Sequence, residues 1–209
     1  MNPPKILFEA CGESGRYDLS RPYRWGDAAY ATDGRIMVRS AITDGIELPG
    51  GRKVPDPNRI EDADDCDRVA RDLPEAKETK FCAGCSGTGK SDRYECENCG
   101  ETQRITINGV RAEIDCLSCD GNGTTPNLDP VMVSDLPRVY VQARYVALLR
   151  RHGVRLVNVP AIPQRGTKNT GGLREAITFS GDGFDGWLMP MVTELVEKDL
   201  HLATKEMLT

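Results

Sequence analysis

The sequence predicts an α+β fold: one domain of antiparallel strands and helices, interrupted by a small cysteine-rich insertion. Three observations carry that expectation. Short apolar runs flank turn signals at Asp33-Gly34 and at Gly181-Asp182-Gly183. One stretch, 139–151, repeats its apolar residues with the period of a helix. Six of the eight cysteines fall in three C-x-x-C pairs inside residues 81–125. The expected division is 1–60 and 126–209 for the larger domain, 61–80 for an acidic linker, and 81–125 for the insertion.

Taken in order, residues 1–50 read as strands. Asp27–Thr32 and Arg35–Ile42 lie on either side of the Asp33-Gly34 turn, and little in this part has the helical period. Residues 49–60, with Pro49, Gly50, Gly51, Pro55 and Pro57, form a connector. The acidic stretch 61–79 has room for a short helix over Asp65–Asp72, stopped before Pro74. Residues 81–125 have too few apolar side chains for a core of their own, and a segment of that size needs a metal or disulfides to fold. In 139–151, Val141, Tyr145, Leu148 and Leu149 share one helical face, and Gly153 marks its end. Val154–Val159 reads as a strand, 163–172 as a polar loop, and Ala176–Ser180 and Phe184–Met189 as two strands. Val192–Met207 reads as a terminal helix.

Charge narrows the function classes. The net charge is -5, so the chain is not a globally basic nucleic-acid binder. The charge is segregated, however. Residues 81–125 hold seven acids against four bases, whereas no acid occurs between Asp135 and Glu175, a stretch with eight lysines and arginines. A local basic surface is therefore expected. No run approaches the length of a membrane-spanning helix, and the N-terminus has no secretory pattern, so a cytoplasmic location is the expectation.

The pairs are Cys82/Cys85, Cys96/Cys99 and Cys116/Cys119. In a reducing compartment they read as metal ligands before disulfides. A C-x-x-C turn aims two thiolates at one ion, and a tetrahedral zinc ion needs two such turns. The first and third pairs sit in full C-x-x-C-x-G-x-G motifs, Cys82–Gly89 and Cys116–Gly123; the middle pair has only Gly100. The glycines let the backbone curl past the second cysteine and leave amides free to donate to sulfur. Asn108-Gly109 predicts a hairpin between the second and third pairs. Six thiolates do not divide into whole tetrahedral sites. Cys82/Cys85 with Cys96/Cys99, Cys96/Cys99 with Cys116/Cys119, and the two full repeats with each other all remain open. A second ion would need Cys66, His152 or an acid. A redox role expects a strand–helix setting that is not evident.

Residues 82–123 resemble the cysteine-rich zinc domain of DnaJ-type chaperones. The resemblance implies bound Zn2+, and in that domain the outer repeats pair with each other. That domain has four repeats, here there are three pairs, and no His-Pro-Asp sequence is present, so no co-chaperone activity is implied. Outside the insertion, Tyr30-Ala31-Thr32-Asp33-Gly34-Arg35-Ile36 and Gly186-Trp187-Leu188-Met189-Pro190-Met191 resemble strands of bacterial DNA polymerase sliding clamps. This implies one clamp-like domain whose helix faces DNA. A clamp-like ring needs several copies, so a homo-oligomer is one expectation.

No G-x-S-x-G or H-E-x-x-H pattern is present. Gly84–Ser91 matches G-x-x-x-x-G-K-[ST] formally, but it lies inside the first cysteine motif without the strand and helix a phosphate loop needs. The expected function is a non-enzymatic, zinc-binding accessory protein of DNA metabolism. Arg138, Arg144, Arg150, Arg151 and Arg155 would touch the nucleic-acid backbone without reading sequence. The alternative is a protein-binding adaptor or inhibitor, viral or from a mobile element, that engages a host complex through the acidic insertion.

Overall fold

The computed structural model describes residues 2–12, 16–57, 68–95, 102–108, 110–135, 138–158 and 176–191. The chain divides into two compact units, unit 1 from Met1–Ala76 with Asp129–Thr209 and unit 2 from Lys77–Leu128. It is β-rich, with helices and antiparallel sheets. Among the described residues no helix is long and apolar enough to cross a membrane.

Unit 1 opens with a one-turn helix, α1 (Ile6–Glu9), which buries Ile6 and Leu7. Strands β1 (Tyr23–Trp25), β2 (Ala28–Thr32) and β3 (Ile36–Ser40) follow. The β2–β3 turn is where Asp33-Gly34 predicts it. Gly34 has φ 88°, a region closed to most side chains, and the Asp33 Oδ1 accepts the N–H groups of Arg35 at 2.9 Å and Ile36 at 3.1 Å.

The acidic stretch departs from expectation. In place of a helix over 65–72 the described part is a strand, β4 (Arg68–Arg71). An isolated helix this short has little to bury, whereas a neighbouring strand edge satisfies the backbone. Unit 2 then contributes β5 (Thr79–Phe81), β6 (Lys90–Ser91), β7 (Arg93–Glu95), β8 (Thr102–Arg104), β9 (Thr106–Ile107), β10 (Val110–Arg111), β11 (Ile114–Asp115) and β12 (Thr124–Pro126). Strands β9 and β10 pair antiparallel, with Ile107 opposite Val110, the pairing that the Asn108-Gly109 turn signal predicts.

The chain returns to unit 1 through β13 (Pro130–Asp135) and β14 (Arg138–Gln142), an antiparallel pair. The predicted helix therefore starts late. Arg-Val-Tyr-Val-Gln is strand, because β-branched and aromatic residues favour it, and the helix α2 covers only Ala143–Arg151. Tyr145, Leu148 and Leu149 are buried on α2 as the period requires, while Val141 reaches the core from β14. Gly153 (φ 64°) ends α2: its N–H bonds Arg150 O at 3.0 Å, and Val154 N–H bonds Leu149 O at 3.1 Å. That pattern is a Schellman stop.

Strands β15 (Arg155–Asn158), β16 (Ile177–Gly181) and β17 (Phe184–Leu188) complete a seven-stranded antiparallel sheet in the order β1-β2-β3-β17-β16-β15-β4. Ala31, Val38, Gly186, Phe179 and Leu156 form one row across it. Gly186 is required there, since a Cβ would lie 2.5 Å from the Phe179 ring and 2.2 Å from Met37 O. The core gathers Ile6, Leu7, Val38, Val141, Val146, Leu149, Leu156, Ile177 and Leu188. The expected loop 163–172 and terminal helix 192–207 lie outside the described residues.

Candidate metal centre

The site is built by two copies of one local structure, offset by 34 residues, which is the spacing of Cys82 from Cys116 and of Cys85 from Cys119. In the first knuckle Gly87 N–H bonds Cys82 O at 3.2 Å and Thr88 N–H bonds Cys85 O at 3.1 Å. In the second Gly121 N–H bonds Cys116 O at 3.2 Å and Asn122 N–H bonds Cys119 O at 2.9 Å. Both knuckles pass through the left-handed region at matching positions, Ser86 and Asp120, then Gly87 and Gly121, then Gly89 and Gly123.

The strands repeat the relation. The strand before each knuckle pairs with the strand after the other, β5 with β12 and β11 with β6. Cys82 N–H donates to Gly123 O and Cys116 N–H to Gly89 O, both at 2.9 Å. Each knuckle therefore holds the other in a two-fold exchange. The last glycine of each motif is fixed by close approach: a Cβ on Gly89 would lie 2.2 Å from Gly121 O, and one on Gly123 2.4 Å from Gly87 O.

This exchange brings four thiols together. Cys82, Cys85, Cys116 and Cys119 are all buried, and their sulfurs lie within 4.8 Å of one another. The Cys82–Cys116 and Cys85–Cys119 sulfurs are 3.8 Å apart. A tetrahedral zinc–thiolate centre, with Zn–S near 2.3 Å, sets its sulfurs about 3.8 Å apart. The four cysteines can hold a metal ion and are compatible with a zinc site.

Outer contacts suit thiolates. Gly89 N–H donates to Cys85 Sγ and Gly123 N–H to Cys119 Sγ, each at 3.3 Å. Without a cation, burial opposes charge on these thiols. The amides of Gly89 and Gly87 and the neighbouring thiols overcome that at Cys85 and draw it down to about 7. Burial and the adjacent thiols hold Cys119 up at about 12. A bound cation would offset the burial that opposes charge on these thiols.

Of the three pairings the sequence leaves open, the structure assembles the two full repeats. Cys96 and Cys99 lie outside the described residues, as does Cys66. The phosphate-loop pattern Gly84–Ser91 runs through the first knuckle, where the Gly87 and Gly89 amides are already donating and Lys90 Nζ bonds Asp115 at 2.6 Å. No helix follows it among the described residues.

The five arginines belong to unit 1, where Arg144, Arg150 and Arg151 are engaged by neighbouring groups. Arg144 donates to the Tyr145 hydroxyl at 2.5 Å and to Asp33 Oδ2 at 3.4 Å, and Tyr145 itself donates to Asp33 Oδ2 at 2.5 Å. Arg150 donates to Leu73 O at 2.6 Å, with Glu75 at 4.0 Å. Arg151 donates to Glu9 Oε2 at 2.8 Å. Arg155 is exposed on β15, and Arg138 lies in β14 with its side chain outside the described residues.

Two latches thus emerge that sequence reasoning missed. Asp33 ties the β2–β3 turn to α2, and Glu9 ties α1 to the end of α2, where His152 Nε2 lies 2.7 Å from its Oε2. Neither has a local sequence signal, because the partners are more than a hundred residues apart. The pairing of the knuckles did have one, the 34-residue repeat of the full motif.

No family model matches the chain, and neither a curated protein nor a solved structure matches it. The resemblances to DnaJ-type zinc domains and to sliding clamps rest on the motif residues alone.

Proposed function

We propose that this protein is a non-enzymatic, zinc-stapled adaptor that presents unit 2 to a protein partner. The supporting observation is what unit 2 buries and what it exposes. Its buried hydrophobic residues, among those described, are the four cysteines, while Phe81, Leu117, Val110 and Ile107 are 79%, 73%, 69% and 60% exposed. A zinc ion supplies the interior, so the large apolar side chains are free to serve as anchors for a partner. Zinc in a closed set of four thiolates has no open position for substrate and acts as a structural ion.

The nucleic-acid reading has less support. Arg144, Arg150 and Arg151 already have carboxylate neighbours in Asp33, Glu75 and Glu9. Residues 81–125 carry seven acids against four bases, a net -3 before any thiolate is counted, which repels phosphate. The clamp-like fold remains a proposal for unit 1, as a scaffold.

The test is affinity capture with the full chain and with the triple variant Ile107→Asp, Val110→Asp, Leu117→Asp, beside duplex DNA binding across a salt series. The adaptor reading expects a specific partner to be lost in the variant and DNA affinity to be negligible at physiological salt. An unchanged partner set contradicts it. So does salt-sensitive DNA binding abolished by changing Arg144, Arg150 and Arg151 to alanine.

A further inference from the structure

The four cysteines of the cluster are not equally sheltered. Cys82 and Cys116, the first of each knuckle, are 1% and 2% exposed, whereas Cys85 and Cys119, the second of each, are 8% and 7% exposed. The two-fold exchange also sets like against like. Cys85 Sγ faces Cys119 Sγ at 3.8 Å, and Cys82 Sγ faces Cys116 Sγ at 3.8 Å. The rim of the cluster is therefore one pair of sulfurs drawn from different knuckles, and its floor is the other pair. The rim pair also receives backbone donors, from Gly89 N–H to Cys85 Sγ and from Gly123 N–H to Cys119 Sγ, each at 3.3 Å. An amide donating to sulfur favours the thiolate, the form that reacts with oxidants.

We propose that Cys85 and Cys119 are an oxidation site, and that a disulfide between the two knuckles dismantles the metal centre. The proposal rests on the reading of the cluster as a zinc site. The oxidant is a hydroperoxide. The Cys85 thiolate attacks one oxygen of hydrogen peroxide, the O–O bond breaks, and hydroxide leaves a sulfenic acid behind. The Cys119 thiolate attacks that sulfur, the S–S bond forms, the S–O bond breaks, and a second hydroxide leaves. One peroxide takes up two electrons, one from each sulfur.

The approach required is short, from 3.8 Å to a disulfide bond of about 2.05 Å. Cys82 and Cys116 remain as two thiols, half of a tetrahedral set, and the ion is lost. The new bond ties the same two knuckles that the ion tied. Reduction then returns four thiols that are already gathered, so the change is reversible.

The test uses the full chain, reduced, loaded with zinc and treated with increasing hydrogen peroxide. A chromophoric chelator reads the zinc released. Remaining thiols are blocked with N-ethylmaleimide, and the protein is digested with trypsin without reduction. Trypsin leaves Cys82 and Cys85 in the peptide 81–90, and Cys116 and Cys119 in the peptide 112–138. The expected result is these two peptides joined, with fragmentation placing the bond between Cys85 and Cys119. The joined peptides should accumulate in step with zinc release, and dithiothreitol should reverse both. A reduced protein that binds no zinc overturns the metal reading and this proposal with it. Zinc that binds, but is released with a disulfide inside either peptide, with a Cys82–Cys116 bond, or with no disulfide, overturns this proposal alone. So does zinc that stays bound while peroxide is consumed.

Discussion

Unit 1 and unit 2 acquire an interior in different ways. In unit 1, Ile6, Leu7, Val38, Val141, Val146, Leu149, Leu156, Ile177 and Leu188 are buried in one core to which the seven-stranded sheet contributes, and their removal from water drives folding. In unit 2 the buried cluster is four cysteine side chains, and its strands are two or three residues long. Strands that short cannot stand alone. Glycine also plays different roles. Gly45 in unit 1 has φ 74° with open space around it, whereas Gly89 in unit 2 has φ 76° with a carbonyl oxygen pressed where a Cβ would be. The first tolerates change at a small backbone cost; the second is fixed by packing of one knuckle against the other.

Metal removal should separate the units most sharply. Structural zinc contributes about 10–16 kcal/mol of apparent binding free energy, as much as the whole stability of an ordinary domain. Chelation, or Cys116→Ser, is expected to abolish the NMR dispersion of residues 77–128 while the amides of β1–β3 and α2 keep theirs. Dispersion of unit 2 persisting in the chelated protein would break the distinction.

A smaller effect should follow from Gly89→Ala. The substitution displaces Gly121 O and disturbs the Gly89 N–H bond to Cys85 Sγ. Loss of such an outer contact costs about 10–100-fold in metal affinity. Competition with a chromophoric chelator reads that loss, and Gly45→Ala should leave zinc affinity unchanged.

Within unit 1, Tyr145→Phe removes a buried donor to the Asp33 carboxylate, with a cost of about 1.5–3 kcal/mol. Denaturant melts followed at Trp25 and Trp187 should report it, and zinc affinity should not move. Tyr145 stays protonated far above its ordinary range, through burial and its bond to Asp33, so this latch has no alkaline release near neutral pH.

The smallest effect concerns acid. Burial alone would raise the Glu9 carboxyl, but His152, Arg151 and Lys5 outweigh it and hold it at about 2, below its ordinary 4.5. A depressed carboxyl stabilises the fold above 4.5, and that contribution fades as pH falls from 4.5 toward 2. Glu9→Gln should flatten this part of the acid-stability curve of unit 1. An unchanged curve would sever the latch from the acid response.

The sequence makes short-range features legible and long-range ones obscure. Asp33-Gly34, Asn108-Gly109 and Gly153 announce their turns because a residue type and a backbone region coincide locally. Strands β16 and β17 appear within a residue or two of their expected ends. The 68–71 and 138–142 segments differ from expectation for different reasons. The first becomes strand because β15, distant in sequence, offers ladder hydrogen bonds; the second pairs with its neighbour in sequence, β13, and its β-branched and aromatic residues favour the ladder over the helix. The four-cysteine cluster is half legible. Spacing names the candidate ligands, but three pairings satisfy spacing equally, and the reciprocal strand exchange between knuckles brings the two full repeats together. The arginines show the limit of charge counting. An acid-free stretch in sequence says nothing of Asp33, Glu9 or Glu75 arriving from elsewhere in the chain.

The central claim is that zinc is the interior of unit 2 and irrelevant to that of unit 1. Hydrogen exchange of the full chain with and without a chelator, read peptide by peptide, tests it most directly. The account predicts that protection in 77–128 disappears on chelation, while peptides covering β2, β3, α2, β16 and β17 exchange as before. Protection of 77–128 that survives chelation, or a loss that spreads evenly over both units, would contradict it.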